Sequence, residues 1–404
     1  MENIIIVGTG ECYNYLFSEP LYLLHKLGLL RVLSTVDIVP QNPKRHDLFR
    51  GVEHRIRKRP QKIHEVINDL KSFNPIVILI HGSEYHVIDS IELLDAGYRT
   101  IVEKPYCIDP NSAPVMKQAL INYPTRISLA EYYLAMKSTP LMALAGKIKQ
   151  NSFYFAERFI FSLPENSILK NVYDKFLDII GTPTSICVHI IEGIMDGIGK
   201  VDHRGPHLTD IRLGGGMIQD LAIHAFAPLF ALEDLIGKID ITFSDGNIFV
   251  ARSIEYINMA EQKYGLDLEN IGESYAEISF RTSFGIPVTI KVGKYFKNNI
   301  RHFTIQGKKG KAILDLNNCH LNLCPNQIDS PYSGGYIGCK KSYLPVIKNC
   351  LEELSGNSPF LLPVSVAAWK AQELILNILP KAHSIGSNIR YKSYIQSPDE
   401  IHRS

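Results

Sequence analysis

NIIIVGTGECYNYL, residues 3–16, is the segment from which the architecture of this chain can be read. Ile4, Ile5, Ile6 and Val7 form an unbroken apolar run, as a strand buried on both faces of a parallel sheet requires. Gly8-Thr9-Gly10 follows at once, where a tight turn lets backbone amides approach a pyrophosphate near a helix N-terminus. A second strand-like run, RVLSTVDIV at 31–39, puts Asp37 near its end, where a carboxylate can accept hydrogen bonds from an adenosine ribose. The turn departs from the full G-x-G-x-x-G pattern. Tyr13 stands in the place of the third glycine, Pro20 is expected to interrupt the following helix, and Glu11 sets a negative charge close to any phosphate.

The next hundred residues repeat strand and helix in alternation. NPIVILIHG (74–82) reads as a buried strand and EYHVIDSIELLDAG (84–97) as an amphipathic helix closed by Gly97. YRTIVEKP (98–105) is the next strand, NSAPVMKQALINYP (111–124) the next helix, and RISLAEYY (126–133) a further strand. This rhythm predicts a doubly wound parallel sheet, a Rossmann domain. Lys104 then sits at the C-terminal end of a strand, the edge where ligands bind in such sheets, and Pro105 stops the ladder. The plainer reading of Lys-Pro is a solvated turn.

About 115 residues further on, GGGMIQDLAIHAFAPL (214–229) has three glycines ahead of an apolar run that suits a helix as far as Pro228. Asp220 and His224 are spaced i, i+4, one turn apart on one face. A lysine, a histidine and a carboxylate together make a proton-handling site; separately, an Asp and a His one turn apart are a capping or core pair. The loop KVDHRGPHLTDIRLGGG (200–216) adds Asp202, His203, Arg204, His207 and Arg212. So many donors and acceptors with few aromatics suit a polyhydroxylated ring. Arg204 or Arg212 can clamp a phosphate or carboxylate, or be held in structural salt bridges.

On these motifs the chain resembles the Gfo/Idh/MocA family of pyridine-nucleotide oxidoreductases. The resemblance rests on Gly8-Thr9-Gly10, on EYHVIDSIELLDAGYRTIVEKP with His86 and Gly97, on GGGMIQDLAIHAF with Asp220 and His224, and on FTIQGKKGKAILDL (303–316). It covers about residues 3–380. It implies an α/β protein with an N-terminal Rossmann domain (1–128) and a C-terminal α/β domain (129–404) built on a large, mostly antiparallel sheet. It also implies NAD(P) held by Gly8, Thr9, Gly10, Glu11, Asp37, His81, His86, Glu103, Lys104 and Pro105. Lys104, His224 and Asp220 become the catalytic candidates, and Lys104, His207, Arg212, Asp220 and His224 the substrate contacts. The implied reaction moves hydride between the cofactor and a hydroxyl or ketone of a sugar, sugar derivative or cyclitol. Whether Lys104 or His224 is the acid/base stays open, since neighbouring groups titrate as a unit. Two alternatives stand beside it: a C=N reductase in a natural-product pathway, and a non-catalytic dinucleotide sensor.

The sequence agrees with such a second domain. YAEISFRTSFGIPVTIKVG reads as two strands joined at Ser283-Phe284-Gly285, and HFTIQGKKGKAILDL as two joined at Lys308-Lys309-Gly310. PVSVAAWKAQELILNILPKA (363–382) reads as a long amphipathic helix expected to pack back on the N-terminal half, and residues 147–175 as an insertion. In the resembled family a sheet of this kind packs against another subunit, so a homo-oligomer, dimer or tetramer, is expected.

At 404 residues the chain is too long for one core and suits two domains. A net charge of +2 gives no general pull toward nucleic acid or membrane. The exception is PKRHDLFRGVEHRIRKRPQK (43–62), a basic stretch read as a charged connection and helix. Its Lys44 and Arg45 can meet the 2′-phosphate of NADP, whereas Asp37 repels one, so NAD is slightly favoured. The seven cysteines show no Cys-x-x-Cys pair. Cys319-His320 with Cys324 lacks a second ligand pair, so no metal is expected. Without a transmembrane-length apolar run or a signal peptide, a cytoplasmic protein with reduced thiols is expected.

Overall fold

The structure, a computed structural model, describes residues 1–404 except 11, 39–51, 59, 150, 153–158, 163–171, 194–205, 242–245, 327–331, 337–342, 385–388, 393–397 and 404. It divides into two compact units. The first comprises Met1–Tyr132 with Lys341–Ser358 and Pro363–Trp369; the second comprises Tyr133–Lys340, Pro359–Leu362 and Lys370–Ser404.

The first unit is built on six strands: β1 (Glu2–Val7), β2 (Leu30–Asp37), β3 (Glu53–Ile56), β4 (Ile76–Leu79), β5 (Arg99–Glu103) and β6 (Ile127–Ala130). They lie in the order β3-β2-β1-β4-β5-β6, every pair parallel. That is the strand order of a dinucleotide-binding sheet, with β1 at the reversal point where ligands bind. Ile4–Ile6 and Ile76–Leu79 are fully buried, which is why these runs carry no alternation. Because all six strands run the same way, Gly8, Asp37, His81 and Lys104 emerge along one edge.

Two expectations are corrected in this unit. Pro20 does not interrupt the first helix. A π-helical turn at Tyr13–Phe17 runs into an α-helix at Ser18–Lys26, and Pro20 lies in its first turn, where a missing N–H is least costly. The described part of the basic stretch is edge strand β3 and not a helix, and Arg55 and Arg57 are paired with acids.

The second unit is a ten-stranded sheet. Its strands are β7 (Phe159–Ser162), β8 (Pro183–Gly193), β9 (Asn247–Ser253), β10 (Tyr275–Arg281), β11 (Pro287–Phe296), β12 (Ile300–Gly307), β13 (Gly310–Asp315), β14 (His320–Pro325), β15 (Tyr332–Tyr336) and β16 (Arg390–Tyr391). They are ordered β16-β9-β10-β11-β8-β12-β13-β14-β15-β7, antiparallel except for the β16/β9 and β11/β8 pairs. Both hairpins read from the sequence are present, β10/β11 and β12/β13. β7, from the stretch read as an insertion, supplies one edge.

Register sorts the two faces of this sheet. Ile248, Ile278, Ile290, Val188, Phe303, Leu314 and Leu321 stand abreast across seven strands, all buried. One residue over, the opposite face carries Phe249, Glu277, Lys291, His189, His302 and Asp315, all half-buried. A period of two therefore puts a greasy row on one side and a polar row on the other. The helix near the C-terminus spans Val364–Ser384; its first turns count with the first unit and the rest with the second. Among the described residues no helix is long and apolar enough to cross a membrane.

Candidate active site

The turn after β1 is shaped by Gly8. Its φ is +94°, and a Cβ there would stand 2.6 Å from the His81 backbone nitrogen, so only glycine lets β1 and the end of β4 run this close. Thr9 then donates its backbone N–H and its hydroxyl to Asp37 Oδ2, at 2.7 and 2.6 Å, while Ile38 N–H reaches Oδ1 at 2.7 Å. Asp37 thus stands at the end of β2, as expected, tied to the glycine turn. Around Gly10 a Cβ would meet nothing within 4 Å. Tyr13, in place of the third glycine, is buried and opens the π-helical turn. Glu11 lies outside the described residues, as do Lys44 and Arg45.

Behind this turn sits a charged group that the sequence did not disclose. Asp89 is fully buried and takes both guanidinium nitrogens of Arg57, at 2.7 and 3.0 Å. His81 Nε2 stands 3.0 Å from the same carboxylate. Burial alone would raise the Asp89 pKa, but His81 and Arg57 outweigh it and hold the carboxyl below its usual range. His86 is an internal strut: Nδ1 lies 2.8 Å from the Pro105 carbonyl and Nε2 3.0 Å from that of His81. Burial pushes its pKa down to about 3, so the neutral ring can donate to only one of these oxygens.

Glu103 ends β5 inside the protein, next to the half-buried Lys104 and Pro105. Tyr343 donates to Glu103 Oε2 at 2.5 Å, and its ring packs on Phe17 and Tyr132, with centroids 4.6 and 5.3 Å away. Burial raises the Glu103 pKa to about 7, against the lowering effect of Tyr343 and of the Lys104 charge. At neutral pH this carboxyl is therefore divided between its two states.

In the second unit the glycine turn closes tightly. Gly216 has φ +108°, and a Cβ would meet Glu273 Oε2 at 2.7 Å. The Glu273 carboxylate receives the Ile218 N–H at 2.6 Å, so it caps the start of the helix from outside. That helix begins as a π-turn, Ile218–Ala222, and continues as Ile223–Ala231 through Pro228. The expected stop at Pro228 is thus corrected; the proline is carried inside a fully buried helix.

Asp220 lies in the π-turn and His224 in the α-helical part, both buried. Asp220 Oδ2 receives Lys294 Nζ at 2.6 Å, and Lys294 is only 2% exposed. The same ammonium lies 3.4 Å from Glu192 Oε2, whose other oxygen takes Arg301 Nη2 at 2.8 Å. The His224 ring stacks on Tyr133, centroids 4.4 Å apart and planes 21° from parallel. His207 is exposed. Arg212 is also exposed and forks onto its neighbour Asp210 at 2.8 and 2.6 Å, the structural salt bridge left open above. Asp202, His203 and Arg204 lie outside the described residues.

Lys104 belongs to the first unit, Asp220 and His224 to the second. Sequence reasoning missed Arg57, Asp89, Tyr343, Lys294 and Glu192. One signal was legible for two of them: Glu192 and Lys294 interrupt apolar strands at positions where the two-residue period puts the buried face. Among the described residues no cluster of His, Cys, Asp and Glu could hold a metal.

Together these features define a class of fold: a dinucleotide-type parallel sheet followed by an α/β unit on a broad, mostly antiparallel sheet. Solved structures share it. An oxidoreductase from Thermotoga maritima is 16% identical, covers 95% of this chain and 97% of its own, and gives a TM-score of 0.65. A myo-inositol 2-dehydrogenase from Lactobacillus plantarum is 13% identical over 96% of this chain and 98% of its own, with a TM-score of 0.61. A UDP-N-acetylglucosamine 3-dehydrogenase from Acidithiobacillus ferrooxidans is 12% identical over 95% and 98%, with a TM-score of 0.60. No protein-family model matches the chain, and no curated protein does. At these identities the likeness is one of fold.

Proposed function

We propose that this chain is a Gfo/Idh/MocA-type oxidoreductase that uses NAD(P) to interconvert a hydroxyl and a ketone on a sugar, sugar derivative or cyclitol. One observation carries the reading: Gly8, Thr9, Asp37, His81 and Lys104 all emerge at one edge of a 3-2-1-4-5-6 parallel sheet. Proteins of the same fold include a myo-inositol dehydrogenase, a sugar-nucleotide dehydrogenase, and a dehydrogenase from Chromobacterium violaceum solved with NADH and UDP-GlcNAcA.

The turn fits a dinucleotide. Gly8 brings the backbone close, the open space at Gly10 leaves room for a pyrophosphate, and Asp37 stands where a ribose is held. The anion fixed at Asp37 favours NAD over NADP, whose 2′-phosphate it would repel. When bound, the nicotinamide supplies or accepts the hydride. The chain's own residues handle charge and protons. Lys104 stabilises the negative charge that develops on the substrate oxygen. His224, held flat by Tyr133, takes up or returns the proton, with Lys104 as the competing candidate. Asp220 orients a substrate hydroxyl or tunes His224. Glu103, Pro105, His81 and His86 support the Lys104 strand end, and His207 and Arg212 stand as outer substrate contacts. No described feature favours the C=N reductase or the sensor.

The test is a fluorescence titration with NADH and NADPH on the wild type and on Gly10→Glu, followed by a turnover screen with NAD and myo-inositol, glucose and UDP-N-acetylglucosamine. Binding of NADH that Gly10→Glu abolishes, with turnover of one polyol, is expected. Failure of both cofactors to bind would overturn the reading. We further expect a homo-oligomer in which a second copy covers the polar row of the ten-stranded sheet; light scattering on wild type and Lys291→Glu checks it.

A further inference from the structure

Lys294 is an unusual residue to find inside a strand. A buried ammonium is costly unless it is paired and hydrogen-bonded, and here it has Asp220 at 2.6 Å and Glu192 at 3.4 Å. The backbone aims it. β11 pairs Gly293 with Ile191 and Phe296 with Gly193, so Lys294 and Tyr295 together oppose the single residue Glu192, a β-bulge. Tyr295 accepts a left-handed φ of +72°, which costs a bulky residue about 1–2 kcal/mol. Its ring is buried edge-on against Tyr256, centroids 5.3 Å apart, and packing therefore holds the strain in place. The Lys294 N–H goes to the Ser274 carbonyl at 2.9 Å, and its own carbonyl receives the Tyr391 hydroxyl at 3.0 Å.

We propose that Lys294 is a positioning residue: shared with Glu192, its ammonium holds Asp220 as an oriented carboxylate and thereby sets the proton affinity of His224, one turn along the same helix. The role assigned to His224 rests on the function proposed above. The charge balance supports it. Asp220 and Glu192 contribute two negative charges, Lys294 and Arg301 two positive, so the cluster is neutral and His224 sees a compensated carboxylate. The other titratable groups on elements packed beside this helix are Tyr133 and Lys137 on Tyr133–Lys137, Tyr295 on β11, Glu233 and Asp234 on Glu233–Ile236, and Glu273 at the helix start, while Cys187, His189 and Lys291 stand on the opposite face of β8 and β11. Arg301 reaches the cluster through Glu192 and lies 3.4 Å from Asn317 Oδ1, while Lys137 donates to the Asn317 carbonyl at 3.2 Å.

The experiment is a pH titration by NMR of the full chain, labelled with 13C at the Asp carboxyls and His rings, with Asp220→Asn and His224→Asn to assign the two signals. It needs no substrate, so it reads Lys294 whether or not the polyol screen succeeds. In Lys294→Met the proton affinity of Asp220 is expected to rise at least tenfold, and that of His224 to rise with it, since a compensating cation is gone. Lys294→Arg should restore both. No movement of Asp220 overturns the proposal, and movement of Asp220 without His224 reduces the lysine to a structural pair and overturns it equally. Should Lys294→Met not fold, Glu192→Gln serves instead. It leaves Lys294 to Asp220 alone and should lower the Asp220 proton affinity; an unchanged or raised value overturns the proposal.

Discussion

Thr9 gives both its backbone N–H and its hydroxyl to a single oxygen of Asp37, at 2.7 and 2.6 Å. The glycine turn and the end of the second strand are thus one unit, and the Asp37 carboxylate is held in one orientation by its own neighbours. Thr9→Val removes one charge-assisted bond and leaves the other. We expect NADH affinity to fall about fivefold to tenfold, about 1–1.4 kcal/mol, just below the roughly 1.5–3 kcal/mol of a bond to a charged group because the site is partly exposed. Asp37→Asn should weaken NADH and narrow its advantage over NADPH. Fluorescence titration reads both, and wild-type affinities in the two variants would refute the assignment.

Gly8 and Gly10 should behave oppositely. Alanine at Gly8 puts a Cβ 2.6 Å from the His81 backbone nitrogen at φ +94°, a clash with fixed backbone that no rotamer relieves. Alanine at Gly10 meets nothing within 4 Å. The left-handed conformation alone costs about 1–2 kcal/mol, so Gly8→Ala should lower Tm by several degrees or abolish folding, and Gly10→Ala should melt near the wild type. Equal melting of the two would contradict the close approach.

Arg57 and Asp89 form a buried pair with Arg57 forked on both carboxylate oxygens. Arg57→Met leaves the buried Asp89 carboxylate with His81 as its remaining charged neighbour and is expected to cost about 3 kcal/mol, the low end for a broken buried pair, whereas replacing both partners, as Arg57→Met with Asp89→Leu, should recover part of that. Urea unfolding of the single and double variants measures the coupling. Additive losses would show that the pair is not what holds β3 to the helix at His86–Asp95.

Glu103 gives a pH dependence with a definite sign. Burial raises its pKa from 4.5 to about 7, so between these values the folded protein keeps a proton that the unfolded chain has released. Stability from this group therefore falls as pH rises from about 4.5 to about 7 and is level above, by about 3 kcal/mol in all at about 1.4 kcal/mol per unit. Glu273, also raised to about 7 by burial, adds the same slope. His86 opposes both: held neutral down to about 3, it makes stability fall as pH drops below about 6.5. The clean measurement is the difference between wild type and Glu103→Gln. The variant should gain about 2–3 kcal/mol on the wild type between about pH 5 and pH 7.5, and an equal difference at the two pH values would remove the argument.

Most of the architecture follows from local pattern. Ile4–Val7, the glycine turn, Asp37 and the Glu-Lys-Pro strand end fix a parallel sheet and the C-terminal edge of its strands, because buried parallel strands must be continuous apolar runs and only glycine tolerates φ +94° against a neighbouring strand. Pro20 and Pro228 misled the reading of helix ends, since Pro20 falls in the first turn of its helix and Pro228 is carried inside a fully buried one. The basic stretch misled for another reason: charge in a sequence does not say whether an acid lies nearby, and Arg55 and Arg57 have theirs at Asp69 and Asp89.

By itself, then, the sequence determined the strand order's starting point, the glycine turns, and the spacing that puts Lys104 at a strand end and Asp220 and His224 on one helix, since each depends on neighbours within one or two turns. Only the tertiary structure decided what surrounds them. Tyr343 reaches Glu103 from 240 residues away, and Lys294 reaches Asp220 from 74. Partners so distant are chosen by sheet register and by a bulge in β11, and these are properties of the packed chain that no short window of residues records.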